Sequence, residues 1–289
     1  MTRTRITLTR RHLPMLACGL LGIAALWHGP VAQLPNYHAF ADQSELFGFP
    51  HGQDVLSNLG FALVALWGWL KLAPRRDQPA LADGWAGYQV FLLGLFLTAL
   101  GSAYYHLAPD NTRLVWDRLP IALACGGLLA GFWGDTRQRP SRKLAALLSL
   151  AAAGSVAWWY FTELAGRGDL RPYLLLQILP ILFIPLWQWL YQSPVTDRRY
   201  FGAALAIYVI AKIAELADHE IAALLSVTTG HTIKHLLATI AAGLIVGVLV
   251  RRVRAEGPKS VVVRPVSDVL AALAVGQGVA NTSSKPHSR

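Results

Sequence analysis

Eight apolar stretches, each close to the length a helix needs to cross a lipid bilayer, restrict this chain before any single residue does. They cover 13 to 34 and then about 54–73, 85–107, 113–134, 143–164, 170–191, 200–219 and 226–250. A bilayer core about 30 Å thick takes roughly 20 helical residues at about 1.5 Å each. Backbone groups in hydrocarbon must find partners within their own segment, which a helix provides. The spacing therefore predicts an all-α fold, a polytopic transmembrane helix bundle with a seven-helix core (54–250) plus one extra N-terminal helix (13–34). Of the 289 residues, 54 % are hydrophobic and only 15 % charged, too apolar for an ordinary soluble domain.

A net charge of +10 would suit a nucleic-acid partner if the basic residues formed one stripe. They do not. Arg3, Arg5, Arg10 and Arg11 precede the first apolar run, and Lys71, Arg75 and Arg76 follow the second. Arg137, Arg139, Arg142 and Lys143 follow the fourth, Arg198 and Arg199 the sixth, and Arg251, Arg252 and Arg254 the eighth. The alternate connections hold only Arg113, Arg118, Arg167 and Arg171. Basic residues on every second connection mark the cytoplasmic side, so both termini are expected there and no nucleic acid is. Residues 1–12 then form a cytoplasmic basic N-terminus, and 255–289, rich in Gly, Pro, Ser and Lys, a mostly disordered cytoplasmic tail. The 13–34 run reads as a retained helix, with the small residues of His38-Ala-Phe-Ala41 leaving signal-peptide cleavage as the alternative. Cys18 and Cys125 sit in apolar runs and read as small buried hydrophobes, not a disulfide or a ligand pair.

Ionisable residues inside such runs are expensive and point to function. Gly101-Ser-Ala-Tyr-Tyr-His106 places Ser102 and His106 one turn apart on one helix face, and His231 and His235 share the same spacing. Alternating topology puts His106 near the outer end of its helix, Asp117 about one turn below that surface, and both late histidines in the first turns of the last helix. Five polar groups from three helices thus reach one depth, toward the outer face.

Three neutral imidazoles with one open position form a catalytic zinc arrangement in which a bound water loses its proton near pH 7. Asp117 can act on that water as general base or orient a ligand histidine. Ser102 can hydrogen-bond the water or a developing oxyanion. Taken singly, each histidine reads more readily as a hydrogen-bonded structural residue, and Ser102 as a packing serine. Lys212, Glu215 and Asp218 lie three apart and predict internal ion pairing, whereas Lys234 is expected to point away from the histidines and snorkel to the interface. His219 and Glu220 are expected at the outer interface, and Asn58 as a helix cap or interhelical bond. A haem is disfavoured, because two histidines four apart on one helix cannot take its opposite faces.

With Ser102-Ala-Tyr-Tyr-His106, Asp117, His231-Thr-Ile-Lys-His235 and Asp54-Val-Leu-Ser-Asn58, the stretch from about 54 to 250 resembles the alkaline ceramidase family. That family belongs to a superfamily of seven-helix membrane hydrolases that includes the adiponectin-type receptors. The resemblance implies zinc on His106, His231 and His235, with Asp117 and Ser102 catalytic at the attacking water. It implies a membrane lipid substrate, ceramide or a related long-chain amide, cleaved to a sphingoid base and a fatty acid. The alternative it leaves open is a lipid-binding receptor-type protein with a structural zinc. Two features depart from the family, the extra first helix and the acidic cluster that binds calcium in eukaryotic alkaline ceramidases. Asp42, Glu45 and Asp54 are the only carboxylates near that position, which leaves calcium doubtful.

Overall fold

A computed structural model describes residues 12–255, and the expected cytoplasmic N-terminus and disordered tail lie almost wholly outside them. The fold is an all-α bundle in the order α1 (Leu13–His28), α2 (Gly52–Ser57), α3 (Leu59–Leu72), α4 (Trp85–Leu107), α5 (Asn111–Arg137) and α6 (Arg142–Leu164). It continues through α7 (Arg171–Leu190), α8 (Val195–Leu216), α9 (Asp218–Leu225) and α10 (Gly230–Ala255). Among the described residues the only strands are a two-residue hairpin pair, β1 (Glu45–Leu46) and β2 (Phe49–Pro50).

Six spans are long and apolar enough to cross a membrane, and a seventh follows if α8 and α9 count as one bent span. In α3 the large residues Leu59, Leu63, Leu66 and Leu70, at intervals of three and four, are all exposed. A contiguous apolar stripe of this kind is untenable in water and natural against lipid. The protein is a multi-pass membrane protein.

Two differences from the sequence expectation bear on which segments span. The first helix stops at His28 instead of 34, because Gly29 takes a left-handed φ of 79° and Pro30 follows. Its 16 residues make about 24 Å of helix, short of a full crossing. The span expected to end at 219 instead breaks at Ala217, and α9 leaves α8 at an angle of 82°. Pro120, Pro180 and Pro185 remain inside unbroken helices, as membrane helices permit. Cys18 is exposed on α1 rather than buried, and both cysteines are free thiols.

The interior is built on close contact between α4 and α5. Gly87, Gly94 and Gly101 recur every seventh residue on α4 and face α5. A Cβ on Gly94 would lie 2.6 Å from the Ala124 amide nitrogen, and one on Gly101 would collide with the Trp116 carbonyl. Small residues at such a seam let two backbones approach where lipid supplies no hydrophobic drive. At Gly101 the closeness has a local result, since it sets Ser102 on α4 beside Asp117 on α5.

Candidate metal centre

One end of the bundle gathers the C-terminus of α4 with the N-termini of α2, α5 and α10. His106 lies in the last turn of α4, and His231 and His235 in the first two turns of α10. All three are buried, with ring centroids 4.8 Å (His106–His231), 5.2 Å (His106–His235) and 4.8 Å (His231–His235) apart. One nitrogen from each can be chosen so that all lie within 4.8 Å of one another, the only group of three or more potential ligands of this kind among the described residues. Three nitrogens around a tetrahedral ion at 2.0–2.1 Å would stand about 3.4 Å apart, inside the 4.8 Å that bounds them here.

The hydrogen bonds around the rings fit them as ligands. Ser57 Oγ donates to the Asp54 carbonyl at 3.1 Å and lies 2.8 Å from His235 Nδ1. A hydroxyl has one proton and the carbonyl can only accept, so His235 Nδ1 must donate, which leaves the lone pair on Nε2. His106 Nδ1 stands 3.9 Å from Asp54 Oδ2, and neither atom has a hydrogen-bond partner. His231 Nε2 is also buried without a partner. Buried imidazole nitrogens without partners are costly in an apolar interior, and a cation would remove that cost.

A ring of supporting groups surrounds the triad. Asp54 Oδ1 accepts from the Thr232 hydroxyl at 2.6 Å, tying α2 to α10. Asp218 accepts from the His231 amide at 2.7 Å and from the Ala41 amide at 2.9 Å. It caps the start of α10 and does not join the lysine pairing expected of it. Gly230 makes this possible, because a Cβ there would sit 2.7 Å from Asp218 Cα.

The connection from Gly29 to His51 folds over this end of the bundle. Phe40 packs on both His106 and His231, with centroids 4.6 and 4.5 Å away. His38 bridges Tyr105 Oη (2.8 Å) and Asn111 Oδ1 (2.9 Å), and His219, exposed like Glu220, meets the Ala39 carbonyl through Nε2 at 2.9 Å. Asp42 accepts from the amides of Ser44 and Asp54, both at 2.9 Å, and so caps α2. Glu45 is exposed. Asn58 is buried and donates to the Asp54 carbonyl at 2.7 Å, a bond within its own turn rather than a side-chain cap.

Beside the triad lies a cavity of about 310 Å³, within the range of small-molecule sites. Ser102, Asp117, Arg118 and His235 line it, and Leu128 and Ile245 mark its reach away from the histidines. From Asp117 to Leu128 is about 16 Å along α5. Asp117 and Ser102 interact side chain to side chain. Lys234, expected to snorkel, turns inward instead; it lines the cavity and pairs with Glu215 at 3.3 Å, while Lys212 binds the same carboxylate. Glu215 draws it in because a carboxylate inside an apolar bundle requires a cation.

All five residues singled out from sequence come to one end of the bundle. Sequence reasoning did not place Asp54, Ser57, Thr232, Phe40 and Arg118 there. Only the Asp54 to Asn58 stretch carried a signal, a carboxylate and two polar residues opening an apolar run. Comparison with known proteins returned no match to a family model, a curated protein or a solved structure.

Proposed function

We propose that the protein is a zinc-dependent intramembrane amide hydrolase acting on ceramide or a related long-chain lipid amide. One observation carries the reading. A buried triad of histidines with orphaned or lone-pair nitrogens stands beside a largely apolar cavity that His235 lines together with a carboxylate and a hydroxyl. The motif resemblance to the alkaline ceramidases supports the same substrate class.

His106, His231 and His235 would hold the ion. Zinc bound there would supply Lewis acidity and a water ionising near pH 7. Asp117 is the proton carrier, its carboxylate taking a proton from the attacking water and returning it to the leaving amide nitrogen. Ser102 donates its one hydroxyl proton to the Asp117 carboxylate and holds it in place; once Asp117 has taken up the water proton, that hydroxyl is free to turn to the oxyanion that develops on the carbonyl. Apolar side chains from α4, α5, α7, α8 and α10 take the acyl chain, while the Phe40 roof keeps bulk water from the histidines. We place the site toward the outer side of the membrane, with the C-terminal end of α10 on the cytoplasmic side, on the distribution of basic residues.

Metal analysis and turnover test this together. Purified protein is expected to hold about one zinc per chain and to release fatty acid from ceramide, with Asp117→Asn keeping the zinc and losing turnover. Zinc retained in full by His231→Ala would refute the ligand assignment, and a zinc-loaded wild type inert toward long-chain amides would refute the hydrolase.

A further inference from the structure

Arg118 is among the largest fully buried side chains, with 1 % exposure. Its guanidinium carbon lies 3.9 Å from the ring centroid of Trp159, 4.8 Å from that of Tyr37 and 5.4 Å from that of Tyr173. These rings come from α6, the Gly29–His51 connection and α7, a cage assembled from three parts of the chain. The cage supplies π-faces but no acceptor. Both Nε and Nη1 of Arg118 are buried without a hydrogen-bond partner.

Charge around the cavity leaves one cation in excess. Arg118, Lys212 and Lys234 line it, against the carboxylates of Asp117 and Glu215. Glu215 is held by both lysines. Asp117 is engaged with Ser102. A guanidinium fixed in an apolar bundle with free donors is costly unless an acceptor arrives with a ligand. Nε and Nη1 each share an edge of the guanidinium with Nη2, so an oxyacid placed on either edge meets one of the two open donors.

We infer that Arg118 is a specificity-determining residue that binds an oxyanion, a carboxylate or phosphate, carried on the polar end of the lipid amide. The inference rests on the cavity being the substrate site proposed above and narrows the substrate from neutral ceramide to an acidic amide. The Trp159, Tyr37 and Tyr173 rings hold the guanidinium in place, so the oxyanion meets a donor pair that needs no reordering.

Three non-cleavable probes test it on the full-length zinc-loaded protein in detergent. Each is the ketone isostere of an oleoyl amide, with methylene replacing the scissile nitrogen; one ends in a carboxylate, one in a phosphate monoester and one in a hydroxyl. Wild type is expected to bind at least one acidic probe about 10- to 100-fold more tightly than the neutral one, the difference a charge-assisted hydrogen bond makes. The stronger acidic arm identifies carboxylate or phosphate as the partner. Arg118→Gln should erase the preference and leave the neutral probe unaffected. Where that variant does not accumulate, Arg118→Lys, which keeps the charge and loses the fork, should reduce it. Equal binding of all three probes by wild type would overturn the assignment. So would an acid preference undiminished in Arg118→Gln or Arg118→Lys, as direct metal binding by the acid would give. Turnover is read separately: acid preference without hydrolysis of any long-chain amide removes the hydrolase and keeps the anion site, and ceramide hydrolysis without acid preference does the reverse.

Discussion

Each end of the bundle buries a polar cluster, and the two are finished differently. At the end away from the histidines, Asp135 accepts from the Tyr88 hydroxyl and from Arg252 at 2.5 Å, and Arg252 reaches Asp197 at 2.8 Å. Four helices, α4, α5, α8 and α10, are fastened there, and of these groups only Arg252 Nε lacks a partner. At the histidine end, His106 Nδ1, Asp54 Oδ2, His231 Nε2 and two Arg118 nitrogens are buried with nothing to bond. Two polar clusters thus follow opposite rules. A cluster that closes on itself serves the fold; one that leaves strong donors and acceptors open is shaped for something it binds.

That contrast can be broken by substitution. The largest effect is expected from His235→Ala, which removes a proposed ligand and should drop bound metal from about one per chain to none, read by elemental analysis. Next comes Arg252→Met at the far end. It leaves Asp135 and Asp197 without their cation and should cost about 3 kcal/mol of stability in denaturant titration, the low end for a buried pair because the guanidinium keeps 18 % exposure. Metal per folded chain should not change. If Arg252→Met also strips the metal, the two ends are not independent. Asp54→Asn should weaken metal affinity about 10-fold or more, because it removes the buried negative charge whose Oδ2 stands 3.9 Å from His106 Nδ1. Competition with a chelator measures it.

The smallest effect concerns Asp169, in the connection between α6 and α7. Arg171 holds its carboxyl below the ordinary value of 3.8, with Trp158 and the Val31 amide helping. A carboxyl depressed in the folded state stabilises fully above its unfolded value, and that contribution fades as pH falls through the folded one. Wild type should therefore lose thermal stability below about pH 4 more steeply than Asp169→Asn, whereas at pH 7 the variant should be the less stable. Parallel melting curves at pH 7 and pH 3 decide it.

The helices were legible because lipid imposes length and hydropathy on every span. His231 and His235 were legible because four residues is one turn, and His106 and Asp117 because topology fixed their depth. Contacts between residues far apart in the chain were not. Thr232 and Asp54 are 178 positions apart, and Phe40 reaches the histidines from a connection with no periodic signal. The break at Ala217 follows no proline or glycine; it rests on Asp218 taking the α10 amide. Lys234 was misplaced because its helical face says nothing of the Glu215 carboxylate waiting on α8. By contrast, Gly29-Pro30 was a readable stop for α1, hidden by the apolar residues that follow it.

The Asp54 to Thr232 bond also has a chronology. Asp54, Phe40 and His106 belong to the first half of the chain to be synthesised, and their counterparts Thr232, His231 and His235 to its last helix. Whatever ion the imidazoles take, they can enclose it only after α10 has entered the bilayer and met α2 and α4. Cargo in the centre would then certify that insertion is complete, and a ribosome stalled before residue 230 would leave a bundle unable to retain it.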